Sequence, residues 1–312
     1  MNNVEVAFYT ESGSSRGMGH LIRSYSIYEK FKSLNIKTTF FLDSDINYTD
    51  KFADINYFQW NNFQLMQKYD VIFIDSYDAD IKIYESIVKN CKVAVYIDDF
   101  SRLEYPKGII LNFAPDAREI FFKETLKKYT YLLGLKYIPI RNAFSTIKKI
   151  KKEQIFIMLG GTDIANLSER LIQILDDIRI QKIIVSNNKQ VSDTLKKYKN
   201  VEVLYQPSDS LLIHAMANSK MAISTASMSV YELGYLKIPT IIIAVSKNQE
   251  QGVSQFLKYN IAIDSVSIQR DNWQEQLHEK VQLLLSNKLD VSNEINKNGI
   301  MNIVNKVLEK IK

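Results

Sequence analysis

The stretch Glu11–Arg23 places a histidine, an arginine and two glycines at the start of a predicted helix, which runs from about Leu21 to Leu34. His20 can take up a proton near neutral pH, and Gly17 and Gly19 let a ligand approach the backbone closely. A helix N-terminus also favours anions, because its free N–H groups and its dipole point there. We therefore expect His20 to be a catalytic base, and the alternative is a partly exposed loop histidine.

Other polar residues stand near His20 in the chain or at the ends of predicted strands. Arg23 follows by about one helical turn and could orient a phosphate or carboxylate, or pair with an acidic neighbour. Asp75 ends the most apolar strand of the first half, where it could contact a ligand or cap a turn. Asp98 and Asp99 end another strand, but no His or Glu follows at metal-ligand spacing. The sequence therefore predicts no metal site.

Glycines and hydroxyl residues recur at strand ends in the second half. One loop could cradle a phosphate or only make a tight turn: Gly160, Gly161, Thr162 and Asp163. A second segment enters a helix with backbone N–H groups that suit a diphosphate: Thr225, Ala226, Ser227, Met228 and Ser229. Glu232 could fold back on Ser229 as a capping box, or accept hydrogen bonds from ribose hydroxyls. Asn248 and Gln249 could touch the sugar or phosphates, or cap the next helix.

Strand-like apolar runs alternate with helical patterns along the chain, which favours doubly wound parallel sheets of the α/β class. The predicted strands are 4–9, 37–42, 70–75, 93–97, 108–112, 131–134, 154–159, 182–186, 201–204, 221–225, 240–245 and 261–263. The predicted helices are 21–34, 80–90, one from about 166, 190–198, 208–217, one from about 229, 249–259, 273–286 and 291–312.

This pattern predicts two Rossmann-like domains, one at 1–147 and one at 148–290, and a C-terminal helix at 291–312 that could pack back on the first domain. Ligands in such sheets bind outside the carboxyl ends of the strands. Every candidate residue follows such an end, so we expect loops of the two domains to face each other across a cleft.

Composition excludes several classes of protein. The chain has 312 residues, 46% hydrophobic and 24% charged, which is ordinary for a globular protein. Its net charge is +5, and the cluster Lys148–Lys152 predicts a solvated linker more than a nucleic-acid site. The single cysteine, Cys91, predicts a buried inert thiol in a reducing compartment. With no signal peptide and no apolar run of about 18 residues, we expect a cytoplasmic protein without a membrane span. Its oligomeric state stays open.

Several motifs occur together, in order, between residues 4 and 265. They are G-x-G-H-x-x-R at 17–23, D-S-Y at 75–77, D-D at 98–99, L-L-G at 132–134 with Arg141, L-G-G-T-D at 159–163 followed by N-L-S, the segment around Glu232, and N-Q at 248–249. In this combination the chain resembles the UDP-2,4-diacetamido-2,4,6-trideoxy-β-L-altropyranose hydrolases of pseudaminic acid biosynthesis.

The resemblance implies a GT-B fold and an inverting hydrolysis without metal or cofactor, in which His20 activates water and UDP leaves. It also implies that Tyr77 lies at the sugar, that residues 226–229 bind the diphosphate, that Glu232 binds the ribose, and that Asn248 binds the sugar or phosphate. Two alternatives remain open from the residues: a glycosyltransferase with an acceptor hydroxyl in place of water, and a non-catalytic nucleotide-sugar-binding protein.

Overall fold

The computed structural model describes residues 4–121, 128–150, 152–160, 167–247, 249–287 and 291–311. The chain forms two compact units. The first comprises Met1–Ile140 and Asn296–Lys312, and the second comprises Arg141–Ile295. The sequence pattern predicts the change of domain at 147–148, whereas the chain passes from one compact unit to the other at Arg141.

The first unit is built on a parallel sheet. Its strands are β1 (Glu5–Ser12), β2 (Lys37–Ser44), β3 (Ile55–Phe58), β4 (Tyr69–Asp75), β5 (Cys91–Ile97), β6 (Gly108–Asn112) and β7 (Tyr129–Leu133). Their order in the sheet is β3-β2-β1-β4-β5-β6-β7. The chain direction across the sheet therefore switches between β1 and β4, which is where open α/β sheets bind ligands.

Buried aromatic packing holds β1 beside β4. The rings of Phe8 and Phe73 stack with centroids 4.5 Å apart, and both side chains are almost wholly buried. At the carboxyl end of the pair, the Thr10 hydroxyl donates to the Asp75 carbonyl at 3.0 Å. The loops that leave these two strands are thereby held next to each other.

The helices of the first unit are α1 (Gly19–Ser33), α2 (Ile81–Val88), α3 (Ala117–Ile120) and α10 (Gly299–Ile311). Helix α10 contacts α1 and the short 3-10 segment Leu135–Tyr137. The side-chain amide of Asn302 donates to the Lys136 carbonyl at 2.8 Å. The C-terminal end of the chain is thus part of the first unit.

The second unit repeats the same architecture. Its strands are β8 (Gln154–Met158), β9 (Gln181–Ser186), β10 (Val201–Tyr205), β11 (Met221–Thr225), β12 (Thr240–Ala244) and β13 (Asp264–Ser267), in the order β10-β9-β8-β11-β12-β13. Its helices are α4 (Leu167–Ile174), α5 (Lys189–Leu195), α6 (Asp209–Ala217), α7 (Met228–Tyr235), α8 (Gln249–Lys258) and α9 (Trp273–Ser286). The switch point lies between β8 and β11. The prediction of two Rossmann-like parallel-sheet domains is confirmed.

Two predicted elements are wrong in detail, and one strand was missed. Strand β3 was not predicted, because it is a short edge strand whose side chains are only partly buried. The predicted strand at 261–263 instead follows the end of α8, where Asn260 has a left-handed φ of 51° and Ile261 N–H donates to the Phe256 carbonyl. The strand itself starts at Asp264.

The predicted C-terminal helix from Val291 begins eight residues later, at Gly299. Residues 291–296 have no helical structure. Their apolar side chains Val291 and Ile295 are buried, so a hydrophobic pattern resembling a helix face belongs to an irregular segment here. Among the described residues, no helix is long and apolar enough to cross a membrane.

Candidate active site

A tight loop after β1 sets the position of His20. Gly13 and Gly17 form two backbone hydrogen bonds with each other, of 3.3 Å and 2.9 Å, and Gly17 has a φ of 70°. A residue with a side chain adopts that conformation only with strain, which explains the glycine. Helix α1 starts two residues later at Gly19, and no side chain caps its first turn. His20 is therefore the second residue of a helix that starts at the carboxyl edge of the sheet.

His20 is paired with a buried carboxylate. Its Nδ1 lies 2.6 Å from Oδ1 of Asp75, and the two residues are 8% and 1% exposed. Asp75 is ionised and can only accept, whereas Nη2 of Arg23, 3.1 Å from the same Nδ1, can only donate. Because the contact with Asp75 is the shorter of the two, we place the proton on Nδ1, which donates it to Asp75. The lone pair of a neutral imidazole then lies on Nε2, which forms no hydrogen bond with any described residue. The arrangement is that of a general base oriented by an acid.

Arg23 holds the other side of the same carboxylate. Its Nε and Nη2 donate to the two oxygens of Asp75 at 2.6 Å and 2.5 Å, and its Nη1 donates to Asp99 at 2.9 Å. The Ser24 hydroxyl donates to Asp75 at 3.0 Å. Burial alone would raise the pKa of Asp75, but the charge of Arg23 and the hydrogen bonds from Arg23 and His20 outweigh it and hold this pKa well below its usual range. Asp75 therefore stays ionised.

Tyr77 flanks the pair. The Tyr77 and His20 rings meet edge to face with centroids 4.5 Å apart, and the Tyr77 hydroxyl donates to Asp99 at 2.7 Å. Burial and the charge of Asp99 raise the pKa of Tyr77, so the phenol stays protonated. Its backbone N–H donates to Glu11, a buried carboxylate that also accepts from the Trp60 indole at 2.9 Å. Tyr77 is 42% exposed and so remains accessible beside His20.

Two predicted ligand contacts are engaged within the protein. Asp75 and Arg23 were predicted as possible substrate contacts, but both are buried and bonded to each other. Of the alternatives for Arg23, the acidic partner is the one that is present.

Sequence reasoning missed that Asp99 links Arg23 to Tyr77, although adjacent acids at a strand end were the available signal. A Cβ added at Gly17 or Gly19 would meet nothing within 4 Å, so the space beside both residues is open.

The second unit brings two predicted loops together at its own switch point. Gly160 follows β8 with a φ of 85°, and a Cβ added there would lie 3.6 Å from the Thr225 hydroxyl at the end of β11. Ser227 is the N-cap residue of α7, but its side chain bonds to the Ser229 hydroxyl at 2.7 Å and not to the helix backbone. The first turn of α7 therefore keeps backbone N–H groups that no side chain caps.

Glu232 does not form the predicted capping box with Ser229. Its Oε1 accepts from Nε of Arg141 at 2.8 Å, and Arg141 also pairs with Asp209 at 2.8 Å. Glu232 is 4% exposed, and burial raises the pKa of its carboxyl although Arg141 opposes the shift. Of the two alternatives for Glu232, the capping box is therefore absent, because the better donor for this carboxylate lies 91 residues away in the sequence.

Four predicted residues lie outside the described residues: Gly161, Thr162, Asp163 and Asn248. Gln249 is the first residue of α8, and its side-chain oxygen accepts from the Val245 N–H at 3.0 Å. Among the residues that the structure does describe, no three His, Cys, Asp or Glu side chains are grouped so that they could hold a metal ion. Burial raises the pKa of the Cys91 thiol to about 12, which leaves it a poor nucleophile.

Sequence comparison finds relatives among curated proteins, whereas no protein-family model matches the chain. It is 24% identical over 273 residues to the UDP-2,4-diacetamido-2,4,6-trideoxy-β-L-altropyranose hydrolase of Campylobacter jejuni, covering 84% of this chain and 99% of that protein. It is 26% identical over 239 residues to a Helicobacter pylori protein named as pseudaminic acid cytidylyltransferase and the same hydrolase, covering 75% of this chain and 43% of that protein. An uncharacterized protein of Methanocaldococcus jannaschii is 23% identical over 295 residues, covering 82% of this chain and 58% of that protein. The chain thus spans about half the length of the last two relatives.

Solved structures share the fold at low sequence identity. The UDP-GlcNAc 2-epimerase of Methanocaldococcus jannaschii, in complex with UDP-GlcNAc and UDP, has a TM-score of 0.66 at 11% identity, covering 98% of this chain and 99% of that one. Acinetobacter baumannii MurG has a TM-score of 0.61 at 11% identity, covering 97% of this chain and 99% of that one. The chain therefore has the GT-B fold of nucleotide-sugar epimerases and glycosyltransferases, and in sequence it is similar to the UDP-2,4-diacetamido-2,4,6-trideoxy-β-L-altropyranose hydrolases, as its motifs indicated.

Proposed function

We propose that this chain hydrolyses a UDP-sugar at the anomeric C–O bond, giving UDP and the free sugar, with His20 as the general base. The observation that carries the proposal is the 2.6 Å contact between His20 Nδ1 and Asp75, which leaves Nε2 as the basic atom. The names of the sequence relatives support UDP-2,4-diacetamido-2,4,6-trideoxy-β-L-altrose as the substrate.

The proposed reaction needs one group that accepts a proton from the attacking water. Nε2 of His20 removes a proton from water as its oxygen attacks the anomeric carbon, and the imidazolium that forms is stabilised by the Asp75 carboxylate. The bond between the anomeric carbon and the UDP oxygen breaks, and UDP leaves with the electron pair on that oxygen. Attack from the face opposite UDP inverts the anomeric configuration. A base positioned in this way contributes about 10²–10⁴-fold in rate.

The second unit supplies groups suited to UDP. The uncapped N–H groups at the start of α7, around residues 226–229, would bind the diphosphate, because a helix N-terminus favours anions. Glu232 would accept from the ribose hydroxyls through Oε2, since Arg141 occupies Oε1. Gly160 to Asp163 would add backbone contacts, and Asn248 would bind the sugar or a phosphate. Because these groups offset the charge of departing UDP, we propose that the reaction needs no metal and proceeds in EDTA.

The variant His20→Asn tests the proposal. Asparagine can still donate to Asp75, so the fold should persist, while UDP release, followed by chromatography, should fall by about 10²–10⁴-fold. UDP binding measured by calorimetry should be unchanged. His278→Asn is the matched control, because His278 also pairs with an aspartate, Asp177 at 2.8 Å, but in the second unit. Undiminished UDP release by His20→Asn would contradict the assignment.

The assay also separates the alternatives. A hydrolase releases UDP and free sugar without any acceptor, and NMR should show the inverted anomer as the first product. A glycosyltransferase would release UDP at a comparable rate only after an acceptor is added. A non-catalytic binding protein would bind UDP-sugar in calorimetry and release no UDP.

A further inference from the structure

Tyr77 lies against His20 and Phe100 lies next to Tyr77, and neither exposed ring takes part in the proposed proton transfer. Phe100 is 70% exposed, and its ring centroid lies 6.0 Å from that of Tyr77 at an interplanar angle of 41°. Tyr77 in turn meets the His20 ring at 4.5 Å. We call Tyr77 and Phe100 the aromatic shelf. A single exposed phenylalanine would be ordinary, but two adjacent exposed rings form an apolar surface, and such surfaces mark ligand-binding sites.

The turn that carries Phe100 is held by a buried carboxylate. Asp98 is 2% exposed, and its oxygens accept from the N–H groups of Phe100 and Arg102 at 3.0 Å and 2.9 Å. The Asn112 side chain donates to the Asp98 carbonyl at 2.9 Å. Between Phe100 and Arg102, Ser101 has a φ of 56°, a left-handed conformation that costs free energy in a residue other than glycine. The phenylalanine is therefore presented by a fixed turn.

Arg102 ties this turn to the loop that carries Tyr77. Its Nη2 donates to the carbonyls of Ser76 and Ala79 at 3.1 Å and 3.2 Å, and to the Tyr84 hydroxyl at 3.1 Å. The two members of the aromatic shelf are thus held at a set separation by polar contacts beneath them. A rigid pair of rings is suited to bind an apolar group of a ligand, because little conformational entropy is lost on binding.

We propose that the aromatic shelf binds an apolar substituent of the sugar, such as a deoxy methyl or an acetamido methyl group, and that Phe100 thereby determines which UDP-sugars the site accepts. This inference rests on the proposed function, since it places the sugar at His20. Stacking against the two rings removes methyl and ring C–H surface from water, whereas a hydroxyl at the same place would lose hydrogen bonds to water. The site would select deoxy and N-acetylated sugars over fully hydroxylated ones.

Phe100→Ser tests the proposal, with Phe100→Leu as the conservative variant and Leu283→Ser as the control. Leu283 is 56% exposed and lies in the second unit, so its substitution should change neither KM nor kcat. With UDP-2,4-diacetamido-2,4,6-trideoxy-β-L-altrose, Phe100→Ser should raise KM about tenfold and leave kcat close to wild type. Phe100→Leu should recover most of the loss. An unchanged KM in Phe100→Ser would overturn the proposal.

A binding measurement keeps this inference separate from the proposed reaction. In the His20→Asn protein, saturation-transfer NMR with the same UDP-sugar should show transfer to the sugar methyl protons. Adding Phe100→Ser should reduce that transfer and leave the uridine signals as they were. Absence of methyl transfer, or transfer unaffected by Phe100→Ser, would refute the aromatic shelf. Failure of the wild type to release UDP would refute only the hydrolase assignment.

Discussion

At the scale of single residues, Asp75 organises the candidate site. Its carboxylate accepts from His20, from Arg23 twice and from Ser24, so one buried charge orients the base and is itself fixed by a guanidinium. Arg23 and Asp99 balance one another's charge within the same cluster. A buried charge is stable only when it is paired and hydrogen-bonded, which this network achieves. We propose that Asp75 is a positioning residue and does not touch the substrate.

Asp75→Asn should reduce kcat more than it changes KM. An asparagine amide can donate to Nδ1, which would move the histidine proton to Nε2 and remove the basic lone pair. We expect kcat to fall about 10²–10⁴-fold while UDP binding persists, because only the base is affected. Steady-state kinetics on UDP release measure this. Asp177→Asn, the exposed partner of His278, is the matched control and should have wild-type kinetics.

The pH dependence of stability should also identify Asp75. Its pKa in the folded chain is held below its value in the unfolded chain, which is about 3.9. The stabilisation it provides is then complete at neutral pH and is lost as the pH falls through the folded-state pKa. The urea midpoint of Asp75→Asn should lie below that of the wild type at pH 7, and the difference should shrink below about pH 4. A difference in urea midpoint that is as large below about pH 4 as at pH 7 would contradict this assignment.

At the scale of elements, helix α10 shows how one small residue sets a packing contact. Gly299, at its N-terminus, lies so close to the segment before the second unit that an added Cβ would come 2.0 Å from the Ile138 carbonyl oxygen. Beyond this point Ile303, Val304 and Val307 are fully buried. Because the backbone cannot withdraw without lifting these side chains from the core, no residue but glycine fits here.

Gly299→Ala should therefore destabilise the first unit. We expect a loss of about 1–3 kcal/mol, from overpacking against backbone, seen as a lower urea midpoint by circular dichroism. Gly252→Ala is the matched control. Gly252 is also a helical glycine, but a Cβ there would meet nothing within 4 Å, so alanine should be neutral or stabilise by up to about 1 kcal/mol. Equal effects of the two substitutions would show that the close contact has no energetic weight.

At the scale of the whole molecule, each unit carries its own switch point and its own set of candidate groups. The first unit has the histidine, its carboxylate and the aromatic shelf. The second unit has the uncapped start of α7 and the buried pair of Glu232 and Arg141. In the proposed reaction the first unit would provide the base and the second would bind the nucleotide.

Hydrogen exchange can test this division of roles. UDP alone should slow exchange of the amides at the start of α7, around residues 226–232, because their N–H groups would bond to the diphosphate. It should leave the amides of 17–23 unchanged. CMP, a monophosphate with a different base, is the control nucleotide and should protect α7 less. Protection by UDP confined to residues 17–23 would contradict the assignment of UDP to the second unit.

Much of the fold could be read from local pattern. Apolar runs such as Val71–Ile74 predict buried parallel strands because both faces of such a strand are covered. The placing of His20 at a helix start was also predictable, since glycines and helix periodicity mark that boundary within a few residues. Edge strand β3 and the irregular segment before α10 were not predictable, because partial exposure and local hydrophobicity do not separate strand, helix and coil.

The sequence by itself determined which residues stand at the carboxyl ends of strands, because that depends on short-range periodicity. Only the tertiary structure decided which of these ends meet. His20 and Asp75 are 55 residues apart and form a pair because β1 and β4 are neighbours at the switch point, while β2 and β3 lie on the other side of β1. Likewise the Glu232 carboxylate accepts from Arg141, which is distant in sequence, and does not form a capping box with Ser229. The partner of a buried charge is set by strand order and packing in space, which no local pattern encodes.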